Sequence, residues 1–256
     1  MTPRVLIVAG SDSGGGAGIQ ADIRTVTMLG GHAMTAVTAL TAQNTLGVQG
    51  VMPVPAAFVV AQIRSVLEDL GADAVKIGMI GSAETANAVA DELERLDVPV
   101  VFDPVMVATS GSVLADAATI EAFERLMQRA TVVTPNLPEL EALGGEAAVL
   151  AHGCHLVAKG GHADGPKVVD RLIAPGGEEA ARVTGERFDT VHTHGTGCTL
   201  ASALACGLAA GLSVEDAFRQ AVRFVRIAIE AAPGLGRGHG PIGHTLGRNP
   251  WAERVG

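Results

Sequence analysis

The chain has 256 residues, of which 48% are hydrophobic and 18% charged, and a formal net charge of −9. That acidic balance excludes a general nucleic-acid binder, which needs a basic footprint. No run of about 18 apolar residues goes uninterrupted, so no membrane span is expected.

The start, Met1 to Val5, runs straight into a strand-like segment, with neither the apolar core nor the cleavage site of a leader. Val5 to Ala9 is a short β-branched run ending at a glycine and predicts a buried strand. The glycine-rich loop Gly10 to Gly18 follows, then a helix over Ile19 to Leu29 and a strand over Ala33 to Leu40. Ala56 to Leu70 is helical, with Phe58, Ile63, Val66 and Leu67 near one face. Ala74 to Ile77 is a strand. Ser82 can cap the next helix, with Glu84 in its first turn. Val98 to Phe102 and Thr131 to Thr134 are strands around a helix at Thr119 to Met127. From Leu156 the rhythm changes, and Leu156 to Lys159, Val168 to Ala174 and Ala181 to Thr190 read as strands joined by turns, some of them antiparallel. Two helices close the chain, Thr199 to Ala210 and Ser213 to Ala232, the second opened by Ser213 with Asp216 three residues on. Pro233 to Gly256 is loop. Alternating β and α predict a mostly parallel sheet with helices on both faces, in one domain over residues 1–256. The three cysteines, Cys154, Cys198 and Cys206, are irregularly spaced and make no disulfide framework, so a reducing, cytoplasmic setting is expected. A mean hydropathy of +0.33 leaves apolar surface for a subunit interface, and a homodimer is expected.

In such sheets, ligands bind beyond the carboxyl ends of the strands. Gly195-Thr196-Gly197-Cys198 opens a helix of small residues, where successive N–H groups at a positive helix end make an anion-binding concavity. The same residues also suit a tight turn before a packing helix. Cys198 lies in that helix's first turn, where the dipole lowers a thiol pKa and suits it to act as base or nucleophile; a buried thiol that simply packs is the alternative. Lys159 ends an apolar strand in Lys159-Gly-Gly-His162 and is placed to meet phosphate or solvent. Asn136 and Glu139, in Thr134-Pro-Asn-Leu-Pro-Glu139, can orient Mg2+ or its waters, or can cap a helix. Asp103 falls at another strand end and joins them as a candidate Mg2+ ligand. His192 and His194 alternate, but no partners for a metal are evident. A Walker phosphate loop is absent, and the N-terminal glycines lack dinucleotide spacing.

The motifs occur in a fixed order: Ala9 to Asp22, Val37 to Thr45, Lys76-Ile-Gly-Met79, Asp103-Pro-Val-Met106, Thr134 to Glu139, Lys159 to His162 and Thr193 to Cys198. That series resembles the hydroxymethylpyrimidine/phosphomethylpyrimidine kinases almost from end to end. The resemblance implies a three-layer ribokinase-like α/β fold, and phosphorylation of 4-amino-5-hydroxymethyl-2-methylpyrimidine and its monophosphate by ATP with Mg2+. By the same resemblance, Gln43 reads the aminopyrimidine edge, with amide donor and acceptor to match it. Ala17, Met79 and Val105 line the ring pocket with Asp22 near its polar rim. Lys159 contacts phosphate, and Gly195 to Cys198 form the anion hole. Cys198 stands where related sugar kinases carry an aspartate base, which favours the pyrimidine and pyridoxal branch. The segment Ala142 to His155 is shorter than the family's usual stretch and is expected to lack most of a peripheral helix. A pyridoxal or pyridoxine kinase on the same fold, and a pyrimidine- or nucleotide-binding module without turnover, are the alternatives. Thr41 to Val48 and Ala108 to Val113 are candidate closing loops.

Overall fold

Short runs of Val, Ile and Leu become the inner strands of a nine-stranded sheet in the computed structural model, which describes residues 1–107, 111, 114–162 and 165–248. In chain order the elements are β1 (Arg4–Asp12), α1 (Gly18–Met28), β2 (His32–Asn44), β3 (Gly47–Pro53), α2 (Ala56–Asp69), β4 (Ala74–Ile77), α3 (Ala83–Leu93), β5 (Val100–Phe102), α4 (Ala117–Arg129), β6 (Val132–Val133), α5 (Leu137–Ala142), α6 (Glu146–Leu150), β7 (His155–Ala158), β8 (Lys167–Ile173), β9 (Glu179–Glu186), α7 (Thr196–Ala209) and α8 (Val214–Glu230). The spatial order is β3-β2-β1-β4-β5-β6-β7-β8-β9. Pairing is parallel from β2 through β1, β4, β5 and β6 to β7, and antiparallel at both edges. The chain leaves β1 for β2 on one side and returns to β4 on the other. This switch opens a crevice at the carboxyl ends of β1 and β4.

Side chains alternate across the inner strands, because successive Cβ atoms point to opposite faces. Leu6, Val8, Ile77 and Phe102 pack with Val59, Ile63, Val89, Leu93 and Phe123, from α2, α3 and α4. Phe102 and Phe123 meet edge to face, with centroids 5.1 Å apart. Val5, Ile7, Ala9 and Val101 face the other way, toward Ile19, Val26, Leu204, Phe218 and Val222 of α1, α7 and α8. In α7 every residue from Thr199 to Leu208 is buried. Its small residues permit that, because neighbouring helices come close: a Cβ at Gly207 would lie 2.9 Å from that of Ala217.

The α/β architecture predicted from the sequence is present, with differences at the edges. Thr41 to Val48, expected as a closing loop, is the end of β2, a tight turn and the start of the antiparallel strand β3. β3 carries no alternating pattern because nearly all of it is exposed or half-exposed. The other expected closing segment, 108–113, lies outside the described residues apart from Gly111. The shortened stretch keeps only the five-residue α6 after a turn at Gly144 and Gly145. Ser213 caps α8 as expected, its Oγ accepting the Asp216 N–H at 3.1 Å. Among the described residues, no helix is long and apolar enough to cross a membrane.

Candidate active site

Loops at the carboxyl ends of the strands enclose a cleft of about 530 Å³ that runs from Gln43 and Met79 at one end to Phe188 and Ile229 at the other. Its middle is the start of α7. Gly195 caps that helix with φ 88° and ψ 4°, a left-handed conformation that favours glycine. A Cβ there would stand 1.9 Å from the Gly16 carbonyl oxygen, so only glycine lets the helix start dock on the N-terminal glycine loop. The first-turn amides of a helix have no carbonyl one turn back to receive them. Those of α7 face the cleft lined by Gly195, Thr196, Gly197 and Cys198, where the dipole favours an anion.

Lys159, just past β7, reaches the same place. Its Nζ lies 3.1 Å from Asp103 Oδ1. A Cβ added at Gly197 would be 3.4 Å from that Nζ. Thr134 Oγ1 donates to the same Asp103 oxygen at 2.9 Å. Burial disfavours the Lys159 ammonium, but Asp103 and Glu139 more than offset it and raise its pKa, so it is a fixed cation at the helix start. Asp103 anchors Lys159 through Oδ1, while its Oδ2 stands 3.6 Å from where a Cβ at Gly197 would lie, on the cleft side. Asn136 and Glu139 form a reciprocal capping box on α5: Asn136 Oδ1 accepts the Glu139 N–H at 2.9 Å, and Glu139 Oε2 accepts the Asn136 N–H at 2.8 Å. Both also line the cleft. Burial pushes the Glu139 pKa up to about 7; Lys159 works against that rise and Asp103 adds to it. A buried carboxylate poised between acid and anion suits a divalent cation that would displace its proton. Among the described residues, no three His, Cys, Asp or Glu side chains cluster as a metal cage.

At the other end, Ala17, Gln43, Met79 and Val105 line the cleft. Gly10 brings β1 against Met79, since a Cβ at Gly10 would sit 2.1 Å from Met79 Cε. Asp12 organises the glycine loop: it accepts the N–H groups of Gly14, Gly16 and Ala17 at 2.8 to 2.9 Å, and His194 Nε2 lies 2.9 Å from Oδ2. Burial would raise the Asp12 pKa, but the bonds from His194 and the amides outweigh it and lower it. The Gln43 amide nitrogen stands 3.2 Å from the same His194 nitrogen. No local spacing connects Asp12, Gln43 and His194, so their meeting is visible only in the fold.

Two expectations need correction. Asp22 is fully buried and does not line the cleft; it pairs with Lys76 Nζ at 2.9 Å and accepts from Ser202 Oγ at 2.6 Å. The expected lowering of the Cys198 pKa does not occur. Burial pushes it up to about 11, Lys76 lowers it, Asp22 and Asp103 raise it, and the Gly18 N–H gives a smaller lowering. Desolvation is the largest effect on it, so the resting group is a thiol. Cys154 and Cys206 are buried packing residues, as expected. Sequence reasoning also missed the far end of the cleft, where Arg226 lies over the Phe188 ring at 4.8 Å beside Val222, Val225 and Ile229. On α8 those aliphatics recur at helical spacing, and they read as core rather than as a wall.

A switch-point crevice that joins a polar-rimmed ring pocket to an amide-lined anion hole, with a fixed lysine, defines a small-molecule phosphotransferase of ribokinase-like fold. The Phosphomethylpyrimidine kinase family model matches residues 12–243, and the chain belongs to that family. It is 49% identical to the hydroxymethylpyrimidine/phosphomethylpyrimidine kinase of Streptomyces coelicolor, over 94% of each chain. It is 46% identical to a bifunctional thiamine biosynthesis protein of Geobacter sulfurreducens, spanning 98% of this chain and 54% of that one. The ADP complex of Bacillus subtilis pyridoxal kinase superposes over 100% of both chains, with a TM-score of 0.86 and 32% identity.

Proposed function

We propose that this chain transfers the γ-phosphoryl group of ATP to 4-amino-5-hydroxymethyl-2-methylpyrimidine, and then a second one to the monophosphate, in thiamine biosynthesis. The observation that carries this reading is the placement of the Gln43 amide at one end of a cleft whose middle is the first turn of α7 with Lys159. The aminopyrimidine edge faces Gln43, with Ala17, Met79 and Val105 against the ring. The adenine lies toward Phe188, Val225 and Ile229. In the step, the substrate hydroxyl oxygen forms the new O–P bond, and the bond from γ-phosphorus to the bridging oxygen breaks, with the electron pair leaving on ADP. The hydroxyl proton passes to Cys198 Sγ. Because the resting group is a thiol, the minority thiolate is the competent form, and kcat rises with pH on the alkaline side. The amides of Gly195, Thr196, Gly197 and Cys198, with Lys159, hold the phosphoryl oxygens as charge moves. Mg2+, held through Glu139, Asn136 or their waters, would neutralise phosphate charge.

The enzyme acts in the cytoplasm as one domain over residues 1–256. It forms a homodimer through the face that exposes Leu40, Leu46, Val51, Met52 and Phe58. The full-length superposition on a pyridoxal kinase favours a side activity on pyridoxal, which also carries a CH₂OH on an aza-aromatic ring. Phosphorus NMR of a reaction containing MgATP and the pyrimidine alcohol tests the reading. A monophosphate ester that converts to a diphosphate supports it, and ATP left intact refutes it.

A further inference from the structure

One charged group beneath the anion hole is not used by the phosphate chemistry above. Lys76 lies in β4 and is fully buried, with Nζ 3.0 and 2.9 Å from the two carboxylate oxygens of Asp22. Asp22 is held in turn by Ser202. Ser202 follows Cys198 by one turn of α7, so the two side chains share a face. Lys76 and Cys198 both line the cleft, and Asp22 lies behind Lys76. Glycine at position 78 leaves the ammonium room, since a Cβ there would be 2.8 Å from Nζ. As a stability device such a pair is poor, because desolvation consumes most of the Coulomb gain and an apolar pair would serve as well. Its strand neighbours Val75 and Ile77 are apolar and fully buried. A cation retained there, lining the same cleft as the Cys198 thiol, has a use in the field it sets.

We propose that Lys76 is a positioning residue that controls the protonation of Cys198: its fixed charge stabilises the thiolate, and Asp22 limits that effect by neutralising part of the charge. The catalytic consequence rests on Cys198 being the proton acceptor. The other groups that face the thiol are Asp103 after β5, Lys159 after β7 and the Gly18 N–H at the start of α1. Burial disfavours the Lys76 ammonium, yet Asp22, with smaller help from Cys198 and Asp103, raises its pKa, so its charge persists across the working pH range.

The two members of the pair act on the thiol with opposite sign, and this separates electrostatic control from packing. The experiment follows alkylation of Cys198 by iodoacetamide in the full chain between about pH 7 and 10, read by mass spectrometry of its peptide. A change of one pKa unit is tenfold in thiolate. Lys76→Met is expected to slow alkylation about tenfold or more, Lys76→Arg to stay near wild type, and Asp22→Asn to speed it about tenfold. Should Lys76→Met fail to fold, because it strands a buried carboxylate, the Asp22→Asn/Lys76→Met double variant is compared with Asp22→Asn alone; the double variant must be slower. Loosened packing would speed alkylation in both single variants, so changes of the same sign overturn the proposal, as does a Lys76→Met rate equal to wild type. Turnover isolates the other premise. If alkylation diverges as expected but Cys198→Ala keeps wild-type kcat, the base assignment fails while the charge control of the thiol stands.

Discussion

Gly195→Ala tests the geometry of the anion hole. The residue has φ 88°, and an added Cβ would stand 1.9 Å from the Gly16 carbonyl oxygen. The left-handed conformation costs a non-glycine residue about 1–2 kcal/mol. For a chain of this size that lowers Tm by roughly 2–8 °C. The contact adds a second effect: the helix start and the glycine loop must part by more than about 1 Å, and a displacement of that size costs on the order of a hundredfold in rate. Gly177, in the turn between β8 and β9, is the matched control. Its φ is 89° and a Cβ there would meet nothing within 4 Å. Both Ala variants are expected to lose Tm in a thermal melt, Gly195→Ala the more because of its added contact with the Gly16 backbone. Only Gly195→Ala is expected to lose about 10²–10³ in kcat by coupled ADP release. The reasoning fails if Gly195→Ala turns over within about threefold of wild type, or if Gly177→Ala loses as much.

Other outcomes follow from the charges. Lys159→Met removes the cation from a buried pair and leaves Asp103 with only the Thr134 hydroxyl bond. It should cost about 3–5 kcal/mol in chemical denaturation and about 10²–10³ in kcat; a variant that loses stability but keeps kcat would remove Lys159 from phosphate contact. Burial raises Cys154 and Cys206 from 9.0 to about 11. The unfolded thiols ionise first, so stability is full below about pH 9 and is lost as pH rises through 11, by roughly 3 kcal/mol per buried thiol at most. Serine at both positions should flatten that alkaline decline in urea titrations. Burial lowers buried His244 to about 4, and its Nε2 lies 2.9 Å from Thr199 Oγ1. Its contribution is present above about pH 6.5 and is lost as pH falls toward 4, roughly 3 kcal/mol in all. His244→Gln should remove most of that acid dependence, and an unchanged acid limb would assign it elsewhere.

The inner strands were legible because a strand buried on both faces must be apolar along its length, as Val5 to Ala9 is. The edge strand β3 was not, because Gly47 to Pro53 packs too little to impose a pattern on its residues. Strand-end positions such as Asn136 and Lys159 could be placed near the cleft because the sheet itself directs loops to the ligand side, whereas Gln43 was named only through the family resemblance. Groups that act through a distant partner could not. Lys76 meets Asp22 across 54 residues, Asp12 meets His194 across 182, and Thr199 meets His244 across 45. Asp22 was misplaced for the same reason: its side chain turns inward to a lysine that no local motif links to it. The sequence left Cys198 open between a dipole-lowered and a buried thiol, because helix position is visible in sequence, whereas desolvation is not.

The most direct test of the proposed activity is kcat/KM by coupled ADP release with MgATP, measured side by side on the pyrimidine alcohol, its monophosphate and pyridoxal. Turnover on both pyrimidines, with kcat/KM above that on pyridoxal, is the predicted result. Turnover on pyridoxal alone would contradict the role given to Gln43 and the ring pocket, and absence of ADP release on all three would contradict phosphoryl transfer itself.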